Sequence, residues 1–154
     1  MQLILNGTFC GHAMRVLLDS GATTCFVSKS FIRQHSLTTV SMDPISVTLG
    51  DDSVRKTSSG IKDKLYLGDG VESQFDCHEF DLPQGCDALA GYNWMKLNGV
   101  IMDTEHDRIS MYDRHRTRQI VAMARVLRNH GSTMCTAVDD EGNHRLAYGI
   151  HEVP

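Results

Sequence analysis

The sequence predicts a mainly β domain with two short helices, and three observations point there. Short apolar or alternating runs recur along the chain, and 13 glycines against 3 prolines supply the turns between them. Before residue 113, only residues 28–35 and 92–97 carry helical signals. At 154 residues there is room for one packed core and an appendage, not for two full domains.

Leu3-Ile4-Leu5, Asn6-Gly7 and Thr8-Phe9-Cys10 read as a hairpin, because Asn-Gly readily takes the positive φ angles of a type I′ turn. The chain then passes Met14 and Arg15 into Val16-Leu17-Leu18, a continuous apolar run expected of a strand buried on both faces. That strand carries Asp19 into a turn provided by Gly21. Cys25-Phe26-Val27 is a short strand. Ser28 is the N-cap of a brief helix reaching His35, with Phe31 and Ile32 inward.

Ile45-Ser46-Val47-Thr48-Leu49 alternates as a half-buried strand does, and Gly50-Asp51-Asp52-Ser53 turns. The return over residues 54–58, starting at Val54, is polar, so this hairpin should project from the body. A second hairpin joins 61–67 to 71–80 about Gly68-Asp69-Gly70. Residues 86–91 form an apolar strand ending at Gly91, residues 92–97 a short amphipathic helix, and 99–102 and 108–112 two closing strands.

Charge divides the chain. Residues 1–113 hold 9 Lys+Arg and 15 Asp+Glu, a net of −6, whereas residues 114–154 hold 6 and 4, a net of +2. This places a boundary near Tyr112-Asp113, with a domain over 1–112 and a basic extension over 113–154. In the extension Ile120, Val121, Met123, Ala124 and Leu127 recur at helical spacing among Arg114, Arg116, Arg118, Arg125 and Arg128. A basic amphipathic helix is predicted within 114–130, stopped by Gly131. Residues 133–138 and 145–150 then flank Asp139-Asp140-Glu141-Gly142-Asn143 as a final hairpin.

No apolar run is long enough to span a membrane, and the first residues lack the basic and apolar segments of a signal peptide. Five cysteines without a CxxC pair read as reduced thiols of a cytoplasmic protein. Cys77-His78 with Cys86 lacks a fourth ligand at suitable spacing, so no metal is expected, nor any other cofactor. Cys25 reads as a core thiol and Trp94 as a packing anchor.

The order of these signals resembles the retropepsin-like aspartic proteases, most closely those encoded in Ty3/gypsy-type retrotransposon polyproteins. Leu5-Asn6-Gly7, Leu17-Leu18-Asp19-Ser20-Gly21-Ala22-Thr23 and Phe26-Val27-Ser28 match the family's strand, Asp-Ser-Gly turn and following strand. Leu49-Gly50-Asp51-Asp52 stands where the family carries its flap. Cys86-Asp87-Ala88-Leu89-Ala90-Gly91-Tyr92-Asn93-Trp94-Met95 matches the second signature, an apolar pair and Gly leading into an Asp/Asn-Trp helix. Here Leu89-Ala90 is smaller than the usual Ile-Leu pair, and Asn93 replaces a frequent Asp.

The resemblance implies a closed β-barrel or sandwich monomer, followed by a linker toward a reverse transcriptase. It also implies peptide hydrolysis by paired carboxylates, which share one proton and so supply both base and acid. Asp19-Ser20-Gly21 occurs once, and Asp87 is not in a second copy, so a complete site requires a homodimer. Asp19, Ser20 and Gly21 would be catalytic. Ala22, Gly50, Asp51, Asp52, Ser53 and Val54 would contact an extended peptide or polyprotein, and Leu89, Ala90 and Gly91 would support the turn.

Two other classes compete. One is a catalytically silent retropepsin-like module for dimerisation or peptide binding. The other is a nucleic-acid binder led by the basic helix over 114–130, although a solvated basic face is the commoner outcome and no aromatic platform accompanies it.

Overall fold

The computed structural model describes residues 2–68, 70–126, 134–138 and 144–148. Asp69, Arg128, Gly131 and the loop 139–143, which figure in the sequence reading, lie outside them. The elements in order are β1 (Gln2–Phe9), β2 (His12–Leu18), β3 (Phe26–Ser28), α1 (Lys29–Gln34), β4 (Val40–Thr48), β5 (Val54–Tyr66) and β6 (Glu72–Phe80). There follow β7 (Ala88–Ala90), α2 (Tyr92–Leu97), β8 (Ile101–Asp103), β9 (Arg108–Tyr112), β10 (Arg118–Ala122), β11 (Ala124–Val126), β12 (Met134–Val138) and β13 (His144–Tyr148). The mainly β architecture with two short helices is therefore as expected.

One sheet runs β11-β1-β2-β7-β3-β6-β5-β4-β13-β12. It closes on itself where Thr8 and Phe9 of β1 pair with Tyr66 and Leu65 of β5. A second sheet, β10-β9-β8, lays Ile109, Met111 and Val121 on the core that also holds Trp94 and Met95 of α2. Trp94 is indeed a packing anchor: it is buried, meets Phe75 edge-on and donates its indole N–H to Ser73 Oγ at 3.0 Å. Ser28 caps α1 by accepting the Phe31 N–H at 3.2 Å, and Phe31 and Ile32 point inward.

Two local expectations change. The first hairpin turns at Cys10-Gly11, whose φ angles are 51° and 78°, and Asn6-Gly7 lies inside β1. Gly7 serves there by being small: a Cβ would come within 2.9 Å of Leu65 Cδ1 and Tyr66 O, where β1 and β5 cross. The two runs 54–58 and 61–67 belong to one 13-residue strand, β5.

The basic helix is not formed. Residues 118–126 are β10 and β11, pairing with β9 and β1 respectively. Val121 and Met123 are buried while Ile120 and Ala122 are exposed, a period of two that the neighbouring β9 rewards with a ladder. Of the predicted helix, residues 127–130 lie outside the described residues. The final hairpin is present as antiparallel β12 and β13. Among the described residues no helix is long and apolar enough to cross a membrane.

Candidate active site

β7 runs parallel to β2, pairing Leu18 with Ala90, and antiparallel to β3, pairing Phe26 with Leu89. The loop that leaves β2 and enters β3 therefore wraps the end of β7, and that loop is Asp19 to Cys25. Its backbone is held at three points. Asp19 N donates to Ala90 O at 3.1 Å, Ala22 N to Asp19 O at 3.1 Å, and Tyr92 N to Ala22 O at 2.7 Å.

Gly91 makes this packing sterically feasible. A Cβ there would overlap Thr24 O and lie 2.9 Å from Ala22 O, both backbone atoms of the loop. Leu89 and Ala90 are fully buried beside it. Leu89, Ala90 and Gly91 thus pack against the turn.

Asp19 Oδ1 accepts the Gly21 N–H at 2.8 Å. Among the described residues, Asp19 Oδ2 is the one buried side-chain oxygen or nitrogen that makes no hydrogen bond. Burial pushes the carboxyl above the ordinary carboxylate range, opposed by the Gly21 and Ala22 N–H groups. Ser20 and Gly21 are exposed at the tip and Ala22 is buried behind it. Asp87 is spatially engaged elsewhere: its Oδ2 accepts the Arg15 N–H at 2.8 Å and lies 3.5 Å from Arg15 Nε.

The tip of the β4–β5 hairpin is exposed at Gly50, Asp51, Asp52, Ser53 and Val54, while β13 pairs with β4 at Val47 and Thr48. Its tip is internally tied. Leu49 N donates to Ser53 O at 2.8 Å and Asp52 N to Leu49 O at 2.9 Å, while Asp51 Oδ1 accepts from both Ser53 N and Ser53 Oγ. Those bonds from Ser53 hold the Asp51 carboxyl below the usual range. Just behind the tip, Val47 and Leu49 are buried in an apolar cluster with Leu17, Ala22, Phe26, Phe80, Cys86 and Leu89. The hairpin and the Asp19 loop therefore share one hydrophobic floor.

Some residues named in the sequence only as part of a strand or signature prove to contact the Asp19 loop. Asn93 of α2 accepts from Cys25 Sγ at 3.5 Å and donates to Thr24 Oγ1 at 3.4 Å, linking the helix to the loop after Asp19. The alternation over residues 45–49 does signal Val47 and Leu49, but nothing local shows what they cover. The thiols are structural: burial pushes Cys25 and Cys86 up to about 12, and Cys77 is raised as well. Cys77 Sγ, His78 Nε2 and Cys86 Sγ each meet a different backbone carbonyl, of Ile61, Asp43 and Ala88.

Residues 5–94 match the aspartyl protease family. Among solved structures, the retroviral protease-like domain of Ddi1 from Leishmania major is similar with a TM-score of 0.54 at 14% identity. The match covers 81% of this chain and 94% of that one. At that identity the likeness establishes a shared fold. No curated protein matches the chain.

Proposed function

Since this chain belongs to the aspartyl protease family, we propose that it is an aspartic endopeptidase, active as a homodimer, that processes a retroelement polyprotein of the Ty3/gypsy type. One observation carries the catalytic reading: a strand end delivers Asp19 with one oxygen fixed by Gly21 N–H and the other buried without a partner. An unpaired buried carboxylate oxygen is costly unless a further group meets it. A second Asp19, across a two-fold axis, would be such a group.

Two carboxylates about 3 Å apart cannot both ionise cheaply, so the pair holds one proton between them. The ionised member removes a proton from water as its oxygen attacks the scissile carbonyl carbon. The protonated member donates a hydrogen bond to the oxyanion and then passes its proton to the leaving nitrogen, whose bond to carbon breaks as the carbonyl re-forms. Gly21 N–H orients the carboxylate throughout. The hairpin over Gly50, Asp51, Asp52, Ser53 and Val54 would close on an extended peptide and add main-chain hydrogen bonds.

The test is peptide cleavage by the purified chain at mildly acidic pH, compared with Asp19→Asn. The variant keeps the acceptor for Gly21 N–H, so it should fold normally and lose turnover. Retention of full activity would refute the assignment. Dimerisation and peptide binding without cleavage by the wild type would instead mark a silent module.

A further inference from the structure

The turn between β9 and β10 gathers cations on a rigid frame. Asp113 Oδ1 accepts from His115 N at 2.9 Å and Thr117 N at 3.0 Å, and its Oδ2 accepts from Gln119 Nε2 at 3.1 Å. Asp113 N donates to Thr117 O and Arg116 N to Asp113 O, with Arg116 at φ 61°. All five residues from Arg114 to Arg118 are exposed.

The arginines are also placed. The guanidinium carbons of Arg116 and Arg118 lie 4.3 and 4.6 Å from the centre of the Tyr112 ring. They can therefore be no further than about 9 Å apart. Arg118 Nη1 additionally donates to Gly99 O and Ser110 Oγ. Arg114 Nε donates to His115 Nε2. Among the described residues, no carboxylate forms an ion pair with Arg114, Arg116 or Arg118. Asp113 is the one acid at this tip among the described residues, its carboxylate taken up by His115 N, Thr117 N and Gln119 Nε2. Asp103, Glu105 and Asp107 lie at the opposite end of β9, about 15 Å away by strand rise, and Asp103 is already paired with His106 and Arg108.

We propose that this tip binds the phosphate backbone of single-stranded nucleic acid. Guanidinium groups match phosphate oxygens bidentately, and two held near one ring can engage neighbouring phosphates without first being ordered. Beside them on the same sheet face, the cross-strand row Ile101, Ser110 and Ile120 leaves both isoleucines more than half exposed, an apolar surface for bases. The surface works independently of peptide hydrolysis.

A fluorescently labelled single-stranded RNA 20-mer, read by anisotropy across a salt series, tests this on the full chain. Arg114→Gln with Arg116→Asn removes two charges, and Asn tolerates the positive φ at 116. Affinity should fall about tenfold, and the slope of log affinity against log salt should shrink by about 1.4, while melting temperature stays unchanged. Arg114→Gln alone, which disturbs no backbone, should give about half that slope change. Single-stranded DNA competing as well as RNA assigns the contact to phosphate, and RNA alone competing adds the 2′-hydroxyl; either supports the proposal. Unchanged affinity and slope in the variants, equal competition by polyglutamate, or loss of binding only in Arg125→Gln with Arg128→Gln would overturn it.

Discussion

Asp19 sits at the junction of two opposing influences. Burial favours its protonated form, whereas N–H groups of Gly21 and Ala22 favour the carboxylate, and burial is the larger. A carboxyl whose pKa is raised in the folded state contributes stability that is complete below its unfolded value and is lost as pH rises through the folded one. Asn at this position does not titrate. The melting temperature of wild type minus that of Asp19→Asn should therefore fall as pH rises above the ordinary aspartate value of about 4. A difference that rises there would contradict the burial of Asp19.

Elements matter here through what they hold apart or together. β7 threads between β2 and β3, and α2 follows it at once, so Gly91 is the point where strand, helix and Asp19 loop meet. Gly91→Ala forces a methyl into two backbone carbonyls that cannot rotate away. We expect a loss of about 3 kcal/mol in denaturant unfolding, at the upper end for overpacking, with cleavage activity falling alongside. The same substitution at exposed Gly11 meets no neighbouring atom, so any cost there comes from its positive φ alone.

At the scale of the molecule, the proposed dyad would make assembly part of the chemistry, since each chain carries one Asp-Ser-Gly. Specific activity should decline on dilution as dimers separate, in step with the mass measured by sedimentation. Mixing wild type with excess Asp19→Asn should depress activity more steeply than simple dilution, because each mixed pair retains a single ionisable Asp19. Activity strictly proportional to wild-type chains would show that one chain suffices.

Most of the strands, both helices and the Asp19 turn were legible in the sequence because local causes specify them. Ser28 caps α1 through its own side chain, 45–49 alternates with the strand period, and Val16-Leu17-Leu18 is apolar because both faces of β2 are covered. Three decisions needed the tertiary structure. Asn6-Gly7 suits a turn, yet β5 crosses at Gly7 and keeps the strand straight to Cys10-Gly11. Residues 118–126 satisfy a helical spacing, yet β9 and β1 offer hydrogen-bonding edges that draw them into strands. Asn93, Val47 and Leu49 reach the Asp19 loop from elements distant in sequence. The amino-acid order alone determined that an Asp-Ser-Gly turn ends a buried strand; only the folded chain decided that one of its oxygens is buried without a partner. Local propensity acts over a few neighbours, whereas burial and strand pairing are properties of everything packed around them.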